Sequence, residues 1–549
     1  MSGRIIQNEI PAGKTPPKFA FSGNSDREVT FHRGAAGGYD SPFDMDARTN
    51  RSLVIGAAIN WAAFAATLAV SFFLAPYLIR SLGDARYGVW CVVESILAYF
   101  TLFDLGIAAC LVRFVAQFRA TGRQDELNRL VSSCLAVFAI AAGAVMLVGG
   151  ALAPLLGPGL ERKLGEPGDV PAFMLLMLAN LAITLPLSVF PTILDGLQRF
   201  GAKSAVRLGF LAIRVFGIVY VMETTPGLLP LAVVYTVVNV LEHAAFAWLA
   251  FRFLPGLRIG RSLVDRSTLH RVKGYSVDAF LAMLAGRITV QTGAIVVGGF
   301  LTVAAAAHYA IAARLVELAK NLLRSVTTTL TPAVSEREAK GDRDGIRRVL
   351  LDGTRIVLYI VLPIHLGLMF FGAPFLARWI GGPQYAELCF PATAILGLTL
   401  TIGVAQSVAS RILYGLGTIR LFARLALVEA ALNLILSLAL VQPYGIEGVA
   451  FAVAIPNVLF CLFAIGYACR VLEVPLPRYL LAAWSKPLAA AIVPAVWWSL
   501  VPSEGTWLGI VRGIGLGLIP YAITVSLVEL RPRWKWKRVA PYAPRVVAD

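Results

Sequence analysis

The feature that most constrains this chain is a series of apolar runs, each long enough to cross a bilayer, that recur along almost its whole length. Crossing the hydrocarbon core as a helix takes about 20 predominantly apolar residues. Such runs lie at roughly 52–79, 87–109, 131–156, 171–194, 206–223, 227–251, 276–299, 301–330, 353–375, 385–413, 420–441, 445–469, 480–500 and 507–528. Lipid offers the backbone no hydrogen-bond partner, so each run must satisfy its own amides as a helix. The expectation is an all-α polytopic membrane protein of about fourteen crossings. Composition agrees: 58% of residues are hydrophobic and 15% charged, against about 25% charged in soluble domains.

The formal net charge of +17 would suit nucleic acid, but its distribution indicates otherwise. Connections after even-numbered runs, with the ends of the runs that flank them, hold 24 Lys and Arg, and those after odd-numbered runs hold five, namely Arg80, Arg86, Arg162, Lys163 and Arg378. Basic residues collect in cytoplasmic loops, so both termini are expected in the cytoplasm, with no nucleic-acid partner. The tail RPRWKWKR, 531–538, alternates Trp with Lys and Arg, as the headgroup layer favours. Residues 1–51 are polar and lack the apolar core of a signal peptide; they are expected to form a disordered cytoplasmic extension. The six cysteines and five histidines show neither disulfide nor metal-ligand spacing, so no metal or cofactor is expected.

RATGRQDELNRLV (119–131) returns as EAKGDRDGIRRVL (338–350), with Ala120/Ala339, Gly122/Gly341, Asp125/Asp344 and Arg129/Arg348 matching. LDGLQRFGAKSAVR (194–207) similarly matches LYGLGTIRLFAR (413–424). An even number of crossings separates the copies, so the repeats run parallel, related by an axis along the membrane normal. The expected organisation is an N-lobe of six helices (52–251), a cytoplasmic linker (252–275) and a six-helix C-lobe (276–470). A terminal helix pair (479–528) and a basic tail (529–549) follow. Two such lobes rocking about a central cavity would give alternating access.

A charge at bilayer depth costs roughly 2.5–3.5 kcal/mol on insertion scales and defaults to a functional reading. Arg287 is the deepest, in LAMLAGRITVQTG. It reads either as a pathway residue or as half of an ion pair with Asp104 or Glu94. Gln291 follows at i+4, on the same face. Arg314, Glu317, Lys320 and Arg324 form a polar stripe along the eighth run, whose positive surplus suits an anion; Glu317 could instead bridge Arg314 and Lys320. Arg214 joins the basic candidates. Glu94, Asp104, Asp278, Glu317 and His308 are candidates for gating or ion coupling, since His and buried carboxylates titrate near neutrality. His365 reads as a core histidine. No Walker A, GxSxG or HExxH element is present, and no catalytic site is expected.

SLGDARYGVWCVVESILAYFTLFDLGIAACLVRFVAQF (81–118) resembles the polysaccharide flippases of the multidrug/oligosaccharidyl-lipid/polysaccharide exporter superfamily. Leu82, Gly83, Tyr87 and Gly88 match an LG-x-x-x-YG element. Asp104, Leu105, Gly106, Val112 and Arg113 match a DLG-x-x-x-x-x-VR element. NLILSLALVQPYGIEGVAFA (433–452) and PAVSEREAKGD (332–342) match in register. The resemblance implies a Wzx-type flippase, a monomer in the bacterial inner membrane. It would move undecaprenyl-diphosphate-linked oligosaccharide to the periplasmic leaflet for O-antigen, capsule or exopolysaccharide. Membrane lipid, a polysaccharide polymerase and export machinery would be its other partners. It also implies a cavity lined by the first, second, seventh and eighth crossings. The first run, INWAAFAATLAVSFFLAP, lacks the arginines that lipid II flippases are said to carry there, which points away from a peptidoglycan precursor. Rival readings are a drug/cation antiporter of the same superfamily and a membrane polymerase or glycosyltransferase.

Overall fold

The computed structural model describes residues 47–104, 107–165, 169–265, 277–327, 330–416, 419–501 and 505–530. The amino-terminal extension through residue 46, the linker residues 266–276 and the RPRWKWKR tail lie outside the described residues. The described residues are built from helices: α1 (Ala47–Leu82), α2 (Asp84–Phe100), α3 (Ile107–Ala120) and α4 (Gln124–Leu164), then α5 (Val170–Gly196), α6 (Phe200–Thr224) and α7 (Leu228–Phe253). The second half holds α8 (Val277–Phe300), α9 (Val303–Thr327), α10 (Leu330–Ala339), α11 (Arg343–Gly381), α12 (Gln384–Gly415) and α13 (Ile419–Val471). The terminal pair is α14 (Leu476–Leu500) and α15 (Trp507–Leu530).

Eleven of these segments are long and apolar enough to cross a membrane. One of them is two crossings. In α13, Asn457 Nδ2 donates to Glu429 Oε1 at 2.7 Å, although 28 residues separate them. A straight helix would hold those residues about 42 Å apart. The chain reverses at Gly445, where φ is 60° and ψ −138°. The remaining two crossings are the polar ones: α2 with α3, and α9 with α10.

The second crossing was expected to be one helix over 87–109 and is interrupted. The Thr101 hydroxyl donates back to Ala98 O at 2.7 Å, and the chain tightens into a 3₁₀ turn over Thr101–Asp104. Polar side chains that compete for backbone groups favour such breaks. Elsewhere the usual inside-out pattern is reversed, as lipid permits. Leu147, Leu155, Phe216, Leu481 and Leu508 are all at least 70% exposed.

The duplicated polar stretch forms the same turn twice. Gly122 and Gly341 both take the left-handed conformation, at φ 69° and 68°, which a side chain would resist. Arg123 N donates to Phe118 O at 3.0 Å, and Asp342 N donates to Arg337 O at 2.9 Å, one helix end closed twice in the same way. Each copy also grips the chain leaving its half's sixth crossing. Buried Asn128 donates to Gly256 O (3.1 Å) and accepts from Arg258 N (3.1 Å). Arg347, at the equivalent place, donates to Leu472 O (2.7 Å) and to Glu473 (2.9 Å).

Candidate substrate cavity

α1, α2, α8 and α9, with Tyr235 of α7, enclose a cavity of about 550 Å³. α8 contributes Arg287 and Gln291, α9 contributes Arg314 and Glu317, and α2 contributes Glu94. α1 presents Ser71 and the apolar Leu74, Ala75 and Leu78. The helices that the resemblance implied are thus the ones that meet here.

One end of this cavity is closed by bonds between the two halves of the chain. Asp84 sits between the first two crossings. It accepts from His308 Nε2 at 2.9 Å and from the Tyr385 hydroxyl at 2.6 Å. The His308 bond, helped by Tyr385 against the effect of burial, holds the Asp84 carboxyl below the usual carboxylate range. Arg80 donates to the carbonyls of Ile380 and Trp379, and Trp379 Nε1 returns a bond to Phe72 O at 3.1 Å. Lys163 donates to the carbonyls of Gly298 (2.9 Å), Gly299 and Leu301 (3.1 Å). Gly88 lets α2 touch the start of α9: a Cβ there would lie 1.7 Å from Val303 O. At the opposite end, the connections bond within their own half, as in Arg119 to Leu197 O (3.3 Å) and Arg337 to Asp342 (2.9 Å).

Below the seal, Arg314 crosses between the halves. Its Nη1 donates to the Tyr87 hydroxyl at 3.1 Å and its Nη2 reaches Glu94 Oε2 at 3.4 Å. Arg287 lies deeper, about 20 Å along α8 from the sealed end. It is partly exposed to the cavity and has no hydrogen-bond or ion-pair partner among the described residues. The ion pair between Arg287 and Glu94 that the sequence allowed does not form, because Glu94 is held by Arg314.

The expected positive stripe on α9 is corrected. Lys320 is not part of the cavity lining; its charge acts on Glu429 of α13. The lining therefore carries two arginines, Arg287 and Arg314, and two glutamates, Glu94 and Glu317. Arg214 stands elsewhere, in a second cavity, bonded to Asn239 Oδ1 (2.6 Å) and Glu242 Oε2 (2.8 Å). His308 belongs to the seal. His365 bonds Thr401 Oγ1 at 2.6 Å. The side chains of Asp104, Asp278 and Arg324 lie outside the described residues.

Nothing in the sequence singled out Asp84, Tyr385, Tyr235 or Asn239. Tyr87 and Gly88 stood out only as parts of a motif. Their roles are now physical: Gly88 admits the neighbouring backbone and Tyr87 receives Arg314.

Two parallel-ordered halves around a polar cavity closed at one end define a multi-pass membrane transporter. The family model for lipid II flippase MurJ matches residues 106–511. The chain therefore belongs to the lipid II flippase MurJ family. Among relatives, the membrane protein EpsK of Bacillus subtilis is 22% identical over 76% of this chain and 83% of its own length. The probable flippase AglR of Haloferax volcanii is 20% identical over 75% of this chain and 83% of its own. Among solved structures, lipid II flippase MurJ in an inward closed conformation superposes with a TM-score of 0.63 at 14% identity, covering 84% of this chain and 98% of that one. An inward-facing multidrug resistance MATE transporter gives the same TM-score at 13% identity, covering 77% of this chain and 98% of that one.

Proposed function

We propose that this protein flips undecaprenyl-diphosphate-linked oligosaccharide across the bacterial inner membrane by alternating access, for exopolysaccharide, capsule or O-antigen assembly. The observation that carries the reading is Arg287: an arginine at bilayer depth, facing a cavity, with no protein partner among the described residues. Such a charge is costly until an anion reaches it, and a guanidinium recognises a diphosphate through paired, always-charged donors. Arg314, already shared between Tyr87 and Glu94, would take up a second phosphate oxygen while Gln291 donates beside it. Glu94 and Glu317 balance the lining charge in the empty state, so an arriving anion competes with them for the arginines.

The excess of arginine on the unsealed side supports placing that side and both termini in the cytoplasm. The seal at Asp84, His308 and Tyr385 would then face the periplasm, and the substrate would enter from the leaflet where it is made. α1 brings no charge to the cavity, which supports a glycan other than the peptidoglycan precursor.

The test is to delete the gene and treat right-side-out vesicles with an impermeant glycan-cleaving enzyme. Lipid-linked repeats that are protected until the protein is restored support the proposal. Repeats that stay accessible and unpolymerised would favour a polymerase. Unchanged lipid-linked glycan would favour a drug exporter.

A further inference from the structure

The second cavity, between α1, α6 and α7, has a volume of about 610 Å³, within the range of small-molecule sites. Its hydrogen-bonding capacity is mixed and partly unspent. Arg214 Nε is buried with no hydrogen-bond partner, while the same guanidinium is committed through Nη2 to Asn239 and Glu242. Arg207 is exposed and has no partner among the described residues. Asn60 spends its carbonyl accepting from Ser204 Oγ (3.2 Å), and its amide hydrogens have no partner among the described residues. Glu242 Oε1 likewise has none among them. Phe64 adds an apolar face, 38% exposed.

We infer that this chamber holds the saccharide of the transported lipid while its diphosphate stays with Arg287; the inference rests on the flippase reading. A diphosphate only accepts hydrogen bonds at neutral pH, and Glu242 would repel it. A sugar hydroxyl both donates and accepts, so it uses arginine, amide and carboxylate together, and the ring's C–H face suits Phe64. Tyr235 lines the first cavity, and Arg214 of the second lies 5.7 Å from its ring centroid, so the two chambers are neighbours.

The test uses the full chain in nanodiscs and two probes: undecaprenyl diphosphate, and the lipid-linked oligosaccharide extracted from cells lacking the gene. Asn60→Ala and Arg207→Ala are expected to weaken binding of the oligosaccharide probe roughly tenfold each and to leave undecaprenyl diphosphate unaffected. Arg287→Ala should weaken both probes. If the Asn60 and Arg207 variants weakened both probes equally, or neither, the saccharide site would be excluded while the flippase reading stood. Saturable sodium binding abolished by Glu242→Gln would make the chamber an ion site and overturn the inference. If no lipid-linked oligosaccharide accumulated, or Arg287→Ala changed neither affinity, the flippase reading would fall and the inference with it.

Discussion

Replacing Gly88 by alanine should break the seal. The added Cβ would sit 1.7 Å from Val303 O, and real Cβ contacts essentially never fall below 3.0 Å. Backbone cannot rotate out of the way as a side chain can, so α2 and the start of α9 must separate by about 1.3 Å. Neighbouring bonds have little room for that. Asp84 lies one turn before Gly88, and its 2.9 Å bond to His308 of α9 would stretch past hydrogen-bonding range. Overpacking of this kind costs about 1–3 kcal/mol. In the proposed alternating-access cycle the cost falls on the sealed state, where the two backbones touch. A bias of that size shifts the sealed-to-open ratio by roughly 5- to 150-fold.

The shift can be read from outside the cell. All six native cysteines are buried, but Cys91 lines the same cavity, so Ser71→Cys in a Cys91→Ala background places a single reporter thiol there. With right-side-out vesicles and an impermeant maleimide, wild-type background should label slowly. Gly88→Ala should label faster by at least fivefold, at unchanged protein level. Equal labelling rates would refute the claim that this contact helps hold the cavity shut, and faster labelling from the cytoplasmic side alone would reverse the proposed orientation.

Other substitutions probe separate parts of the structure. Arg287→Ala should abolish glycan transport at normal expression, and Arg287→Lys should retain roughly a tenth, since lysine keeps the charge but loses the paired donors; transport assayed in the deletion strain decides this. Asn128→Ala would remove its bonds to Gly256 O and Arg258 N, both on exposed residues, at about 0.5–1.5 kcal/mol each, and should lower the Tm of the purified protein without changing substrate affinity. The depressed Asp84 carboxyl makes a signed pH prediction. Its stabilising contribution is complete above the ordinary aspartate pKa and is lost as pH falls through its lower folded value. The Tm gap between wild type and Asp84→Asn should therefore hold from pH 7 to 5 and shrink only below about pH 4. A gap that closed between pH 7 and 5 would refute the assignment to the Asp84 carboxyl.

The crossings could be read in the sequence because each must be about 20 apolar residues long, whatever surrounds it. The repeat could be read because a left-handed turn needs Gly122 and Gly341 at the same place in each copy. What stayed hidden was local competition within a helix. Thr101 bends its helix through one hydroxyl bond, and nothing in the hydropathy of 87–109 distinguishes a threonine that bends from one that does not. The reversal at Gly445 fell inside a continuous apolar stretch, yet the short VQPYG interruption was enough to place it.

The cavity shows the opposite balance. Its intramembrane charges stand out in the sequence by their cost, because lipid allows few explanations for an arginine, but cost does not say what each one meets. That depends on neighbours on other helices, from 25 to 224 residues away in the chain. Arg214 is joined to Asn239 and Glu242 on the next helix of the chain. His308 meets Asp84, 224 residues earlier, and becomes part of a seal. Lys320, counted as cavity charge by its spacing from Arg314, acts on Glu429 of a helix packed behind α9. Arg287 alone of these four faces the cavity without a partner among the described residues, and that difference makes it the group best placed to need a ligand. Arg214 bonds Glu242, His308 bonds Asp84 and Lys320 acts on Glu429, so losing any of the three should first cost stability or closure. Losing Arg287 should cost substrate.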